Sequence, residues 1–326
     1  MTRRLAALGI FAAAFALALA CAAMRSYAGA MESAADQSVG HPNPAAWPDN
    51  ALSIATLGHA TLLMNYLGVR VLTDPSLFDR VGLAFDSIFT IGPRRVTPPP
   101  LAPGELQNLD VILITHAHMD HLDIPSLKRL PKSATVIACD KCSELITPLG
   151  FTDVRELKWG ESTEIKGLTV RAMAAKHWGK RWPPFGGAYG FNSYVLEKNG
   201  VRMLLACDSA ATEVFAALAS DPPEVAAFSI GAYDPWIRNH ANPEQVWAMF
   251  QQTGAKYLLP IHWGTFKLSK EPMDEPLSRL IRAAGDQSNR IVLRQIGGTW
   301  QLPENDMVRA LAAGESSPHA ASSPAR

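Results

Sequence analysis

The sequence predicts an α/β protein in which two packed, mixed β-sheets are covered by helices. Short β-rich runs recur between residues 53 and 293, several are joined by hairpin turns, and amphipathic stretches of helical length separate others. Hairpins make antiparallel neighbours and helical crossovers make parallel ones, so a simple doubly wound sheet does not account for both.

The β runs are Ser53–Thr56, Thr61–Tyr66, Val69–Thr73, Val111–Thr115, Thr135–Ala138, Leu168–Ala172, Ser193–Glu197, Arg202–Ala206, Ala226–Ser229, Tyr257–Leu259 and Ile291–Leu293. Leu67-Gly68 and Lys198-Asn199-Gly200 supply turn chemistry between adjacent runs. Helices are expected after Ile124 and over Lys141–Leu149, Ala211–Ala219, Pro243–Thr253 and Pro276–Ala284, the fourth opened by Asn242 as N-cap and Pro243 at the first helical position.

At 326 residues and 48% hydrophobic, the chain can fill a sizeable core. A formal net charge of zero and the lack of any long like-charged run give no footprint for nucleic acid. Residues 1–30 read as a targeting segment: Arg3 and Arg4 precede the apolar, Ala-rich run Leu5–Ala23. The alternatives are a cleaved signal peptide, a lipoprotein box ending at Cys21, or an uncleaved anchor, since about 20 apolar residues just span a bilayer. All three place the protein outside the cytoplasm, in the periplasm or attached to a membrane. Residues 31–47 read as a linker, 48–303 as the folded domain and 304–326 as a disordered tail rich in Ala, Ser and Pro. Cys139 and Cys142, in Cys139-Asp140-Lys141-Cys142, are either a small disulfide, a redox pair or two half-buried thiols.

The chemistry centres on His116-Ala117-His118-Met119-Asp120-His121, directly after the apolar run Val111–Thr115. With nine histidines in the chain, three His and one Asp in this frame have a chance expectation of about 3 in 10,000. In extended backbone His116 and His118 point to one side and can grip one ion; a following turn swings Asp120 and His121 toward a neighbouring position. Imidazoles suit zinc, yet neither pair fills a tetrahedral shell. Further ligands are sought among polar residues just beyond other apolar runs: His177 in Lys176-His177-Trp178, Asp208 after Arg202–Ala206, and His262 in Ile261-His262-Trp263.

These segments resemble the metallo-β-lactamase fold family, and within it the branch of N-acyl-phosphatidylethanolamine-hydrolysing phospholipase D and its bacterial relatives. The resemblance runs from Trp47 to Trp300 and rests on Leu57-Gly58-His59-Ala60-Thr61, Thr73-Asp74-Pro75, Ile91-Gly92-Pro93-Arg94-Arg95, His116–Asp123, Lys176-His177-Trp178, Ile230-Gly231-Ala232-Tyr233-Asp234-Pro235 and Ile261-His262-Trp263-Gly264-Thr265-Phe266. It implies a four-layer αββα sandwich and two zinc ions, one held by His116, His118 and His177, the other by Asp120, His121 and His262, with Asp208 bridging. Mn2+, Fe2+ or Co2+ would suit the same ligand types. Asp123 is expected to orient a ligand imidazole, and His59 to lie beside the metals or serve as a satisfied core histidine. His240 matches a histidine near the phospholipid head group, while Lys180 and Arg181 match a basic pair beside the cleft or stand as solvated surface charges. The chain departs from the branch at Cys207-Asp208-Ser209-Ala210, where a Gly-Asp-Thr-Gly segment is usual, and at Met119, where the branch has a substrate-contacting Tyr. The segment 181–191 also aligns poorly.

The implied reaction is phosphodiester hydrolysis of a phospholipid-like substrate by a metal-bridging hydroxide, with Asp120, Asp208 and His240 as catalytic groups and His240, Met119 and Lys180 contacting substrate. A lactonase or other carbonyl hydrolase is the alternative, and a non-catalytic metal-binding envelope protein a third. No Gly-x-Ser-x-Gly segment supports a serine hydrolase. Partners reduce to a small-molecule or phospholipid substrate and a membrane surface; the oligomeric state is not written in the sequence.

Overall fold

The computed structural model describes residues 39–85, 89–181 and 188–315. The targeting segment with Cys21, the linker up to residue 38, residues 182–187 and the chain beyond 315 lie outside them. No helix among the described residues is long and apolar enough to cross a membrane.

A seven-stranded mixed sheet contains β1 (Leu52–Gly58), β2 (Thr61–Tyr66), β3 (Val69–Thr73), β6 (Val111–Leu113), β7 (Thr135–Cys139), β8 (Val154–Leu157) and β15 (Thr299–Gln301), in the order β15-β1-β2-β3-β6-β7-β8. A six-stranded sheet runs β14-β13-β12-β11-β10-β9, comprising β9 (Ser162–Ile165), β10 (Leu168–Met173), β11 (Ser193–Lys198), β12 (Val201–Cys207), β13 (Val225–Ser229) and β14 (Tyr257–Ile261). A two-stranded ribbon, β4 (Leu83–Phe85) with β5 (Phe89–Ile91), stands apart. Each large sheet joins an antiparallel meander to a parallel stretch. The hairpin and crossover signals in the sequence are thus both present.

Alternation along the strands makes the layers. Ile54, Met64, Val71 and Leu113 of the first sheet face Val170, Leu196, Met203 and Ala227 of the second in one shared core. Tyr66 ties the layers with its hydroxyl, 3.0 Å from both Leu196 O and Val201 O, and Tyr194 donates to Ile114 O at 2.9 Å. Outside the first sheet, Leu127 of α1 (Ile124–Arg129) and Ile146 of α2 (Ser143–Ile146) pack on Ile112 and Val136. Outside the second, Val246 and Phe250 of α3 (Pro243–Thr253) and Leu280 of α4 (Glu275–Ala284) pack on Leu204, Ala226 and Phe228. The result is the expected αββα sandwich. In α3, Asn242 accepts from Gln245 N at 2.9 Å and Gln245 Oε1 accepts from Asn242 N at 3.0 Å, a reciprocal cap whose loss typically costs about 1 kcal/mol.

Several sequence expectations give way. The tail expected to be disordered from 304 forms α5 (Glu304–Glu315), because Met307, Ala310 and Leu311 recur at helical spacing and close the end of the shared core. Asp306 anchors that helix by pairing with Lys256 and accepting from the Tyr257 hydroxyl at 2.8 Å. The expected strand Ile291–Leu293 makes only an isolated bridge from Ile291 to Leu258, and Leu293 turns out of line at φ 53°. The helix expected over Ala211–Ala219 is a 3-10 helix, Val214–Ser220. The last part of the expected linker is fixed: Gly40 donates to Ile296 O at 3.3 Å and packs so closely on Gly297 that a Cβ would clash.

Candidate metal centre

β1, β3 and β6 run in one direction, as do β10, β12, β13 and β14, so their carboxyl ends deliver side chains to one edge of the sandwich. His59 follows β1, Asp74 follows β3, His116–His121 follow β6, His177 follows β10, Asp208 follows β12 and His262 follows β14. Four of these strand ends carry a non-glycine residue in the left-handed region: His59 (φ 55°), Asp74 (36°), Cys207 (48°) and His262 (64°). Each such residue costs of order 1 kcal/mol, and their concentration here marks a site whose geometry overrides local preference. Gly231 lets the strand ends close up, since a Cβ there would meet His262 O at 2.3 Å.

Two candidate ligand clusters result. His118 Nδ1 lies 2.8 Å from His116 Nε2 and 3.2 Å from His177 Nε2. Asp120 Oδ2 lies 3.6 Å from His121 Nε2 and 3.4 Å from His262 Nε2. Asp208 Oδ2 stands between them, 3.0 Å from His121 Nε2, 3.3 Å from His262 Nε2, 3.7 Å from His116 Nε2 and 3.9 Å from both His177 Nε2 and His240 Nδ1. Nitrogens bound about 2.0–2.1 Å from a tetrahedral ion sit roughly 3.4 Å apart, so these separations fit coordination. The Nε2 atoms of His121 and His262 are buried and have no hydrogen-bond partner among the described residues, which is what ligand lone pairs require. The donor set therefore fits divalent cations.

Protonation agrees with that assignment on one side and with charge pairing on the other. Burial, opposed by nearby carboxylates, pulls His118 and His177 down to about 4, keeping them neutral. Burial also acts on His262, but the neighbouring Asp208 and Asp120 carboxylates outweigh it and push the imidazole up to about 9. Burial would raise Asp208; the charges of His262, His121 and His240 hold it well below the usual carboxylate range instead.

The groups placed to orient these side chains are only partly legible in the sequence. His121 Nδ1 lies 2.9 Å from Asp74 Oδ2, and Asp74 also accepts from Thr115 N at 2.8 Å and Thr115 Oγ1 at 2.6 Å. Thr115 Oγ1 in turn lies 3.0 Å from His116 Nδ1. Asp74 is therefore placed to orient the candidate ligand His121; Thr73-Asp74-Pro75 at a strand end is its mark in the sequence. Asp123 does not have that role: its Oδ2 caps α1, accepting from Ser126 N at 3.0 Å and Ser126 Oγ at 2.6 Å. Ser229, at the end of β13, holds Asp208 Oδ1 at 2.6 Å, and Asn239 O lies 3.0 Å from His177 Nδ1. His59 Nε2 meets Asp120 Oδ2 at 2.9 Å, so this histidine braces the carboxylate. Cys207 takes the left-handed turn that Gly would make easily and points its thiol to Asp74 Oδ2 at 3.1 Å.

A cavity of about 720 Å3 opens directly on Asp120, Asp208, His240 and His262. Met119, Leu268 and the exposed Trp178 and Trp236, with ring centres 6.1 Å apart, make its walls. Lys180 is exposed on the cavity, whereas Arg181 is turned inward, donating to Ala117 O at 2.6 Å and Leu122 O at 2.8 Å. The expected basic pair is thus one free cation and one clasp on the ligand loop. His240 is buried beside Asp208, with Nδ1 unpartnered among the described residues.

A four-layer αββα sandwich with clustered imidazoles and carboxylates at one edge defines a metallo-β-lactamase-fold protein. The beta-lactamase superfamily domain matches residues 69–263, and the chain belongs to that superfamily. An uncharacterised protein of Mycobacterium tuberculosis is 32% identical over 250 residues, covering 72% of this chain and 64% of that protein, so the chain spans under two thirds of that relative. N-acyl-phosphatidylethanolamine-hydrolyzing phospholipase D 1 of Caenorhabditis elegans is 29% identical over 286 residues, covering 78% of this chain and 77% of that protein. Among solved structures, the isothiocyanate hydrolase from Delia radicum gut bacteria shares the fold with a TM-score of 0.61 at 18% identity, over 76% of this chain and 98% of that one.

Proposed function

We propose that the protein is a two-zinc phosphodiesterase of the phospholipase D type, acting on N-acyl-phosphatidylethanolamine-like lipids. The observation that carries this reading is the juxtaposition of a candidate ligand set for two cations with an apolar, tryptophan-walled cavity that contains, among the described residues, one free cation, Lys180. Such a cavity suits an amphiphile with one anionic group. The similarity to the nematode phospholipase supports the same substrate class.

In this reading His116, His118 and His177 would hold one cation, Asp120, His121 and His262 the other, and Asp208 both. Two divalent cations supply Lewis acidity toward a phosphoryl oxygen and lower the pKa of water toward neutrality. The chain's own residues do the positioning. His59 keeps the Asp120 carboxylate in place, leaving its other oxygen to accept a proton from the attacking water. The His240 ring, which lines the cavity, would offer a hydrogen bond to a phosphoryl oxygen, and the Lys180 ammonium offsets the diester charge. The Met119 and Trp178 walls keep bulk water from the reacting end while accommodating acyl chain. Water adds at phosphorus, the bond to the N-acylethanolamine oxygen breaks, and that oxygen takes the proton received by Asp120, giving N-acylethanolamine and phosphatidic acid. An exported or membrane-attached protein, as residues 1–30 imply, would meet such a substrate at a membrane surface.

A lactonase or other carbonyl hydrolase is favoured by one observation: Arg181 is committed to backbone carbonyls, leaving few cations for a phosphodiester. Purified protein loaded with zinc, manganese, iron or cobalt should be assayed with N-acyl-phosphatidylethanolamine in mixed micelles, a generic aryl phosphodiester, a lactone and a β-lactam. Turnover of the lipid with release of N-acylethanolamine is expected. Turnover of the lactone with neither phosphodiester touched would overturn the reading.

A further inference from the structure

Cys139 and Cys142 take no part in the proposed chemistry, and their surroundings give them another role. β7 ends at Cys139, the chain turns through Asp140 and Lys141, and α2 begins straight after Cys142. Cys142 N donates to Cys139 O at 3.2 Å, closing the turn, and Lys141 at its third position has φ 66°. Glycine or asparagine would take that conformation readily; a lysine there is strained, so the turn is kept for what it brings together. It sets two fully buried thiols against each other, with Sγ atoms 2.6 Å apart. Among the described residues no metal-ligand group includes them: they pack in the apolar layer outside the first sheet with Ala117, Leu122 and Tyr189.

We propose that Cys139 and Cys142 form an intrachain disulfide in the mature protein, and that this cystine braces the loop carrying the metal ligands. Both sulfurs are shielded from solvent, unlike an exchange-active pair, which needs one accessible thiolate. Burial pushes the Cys139 thiol well up, which suits a structural rather than an exchange-active pair. The thiolate of one cysteine attacks a disulfide oxidant, either a small molecule or an oxidoreductase, and releases one of its thiols. The second cysteine then displaces the other. One cystine and two reduced oxidant thiols result, two electrons passing from the pair to the oxidant.

The brace reaches the site through backbone. Asp140 O accepts from Gly190 N at 2.8 Å, and a Cβ on Gly190 would press on Asp140 N at 2.9 Å. The next residue, Phe191, bridges to His116, and Asn192 N donates to Thr115 O at 2.9 Å. On the other side the pair packs against Ala117 and Leu122, whose carbonyls Arg181 clasps.

The test is peptide mapping of the full chain folded in a glutathione redox buffer, denatured, alkylated without reduction and cut with trypsin. Cleavage after Lys132, Lys141 and Arg155 puts the two cysteines in separate peptides. A disulfide-linked pair of these peptides is expected, falling apart when dithiothreitol precedes alkylation; two separately alkylated peptides from the unreduced sample would overturn the proposal. Bracing is read by comparing wild type folded under oxidising and reducing conditions with the double variant Cys139→Ala/Cys142→Ala. Wild type should lose on the order of 4 °C in Tm when folded reduced. The variant should melt the same in both. An equal response from both proteins, or none from wild type, removes the bracing role.

Discussion

Asp74 Oδ2 lies 2.9 Å from His121 Nδ1, and both side chains are fully buried. The same carboxylate accepts from the backbone and hydroxyl of Thr115, so it fixes the imidazole on one side and the root of the His116 strand end on the other. Orienting carboxylates of this kind tune the basicity and direction of a ligand ring.

Asp74→Asn keeps the shape and removes the charge. Cation affinity should fall about 10–100-fold, measured by competition with a chromogenic chelator, while the circular dichroism spectrum stays that of wild type. An unchanged affinity would leave Asp74 with a purely structural role.

His118 is half-buried at the cavity floor, so its removal opens little core. His118→Ala should lose about one cation per chain by elemental analysis and lose activity with it, with Tm of the chelated protein nearly unchanged. Loss of the fold instead would contradict the placement of this ring at the cavity.

Arg181→Ala removes donors to Ala117 O and Leu122 O, the clasp around the ligand loop. Leaving two carbonyls without those donors should lower stability by about 1–3 kcal/mol in urea titration and loosen both cations together. Arg181→Lys, with a single ammonium, should restore part of this.

Without metal, stability should peak near pH 6.5. Burial, against the pull of Asp120 or Asp208, holds His118, His177 and His240 at about 4. Their unfolded value is about 6.5, so the unfolded chain binds more protons between those values and stability falls as pH drops through that window. For His262, burial is outweighed by Asp208 and the value rises to about 9; its contribution is complete below about 6.5 and is lost as pH climbs toward 9. Urea midpoints of chelator-treated protein from pH 4.5 to 9 should trace a dome. A monotonic curve would refute the opposed shifts.

Trp178 and Trp236 pair across the cavity mouth, each more than two-fifths exposed. Trp178→Ala should raise KM for a long-chain lipid phosphodiester by about tenfold, equivalent to losing ~1.4 kcal/mol of apolar contact, and leave a soluble aryl phosphodiester almost unaffected. Equal effects on both substrates would place the ring outside the acyl path.

The sequence by itself determined the chemistry's ingredients. His116, His118, Asp120 and His121 were legible because their spacing is local, and a strand followed by a turn fixes which side chains share a side. His177, Asp208 and His262 could be picked out as polar residues ending apolar strands, and the capped start of α3 was visible in Asn242 and Pro243. Only the tertiary structure decided which of these meet and what holds them. Asp74 is 47 residues before His121 and joins it because β3 and β6 lie side by side and parallel. Asp123, nearer in sequence, is drawn off by the free amides at the start of α1. Arg181, adjacent to Lys180, points the other way because two loop carbonyls need its donors. The 304–315 helix likewise forms because the sheets leave an apolar end to cover. Spacing along the chain sets what neighbours can do together; sheet order and burial choose the neighbours.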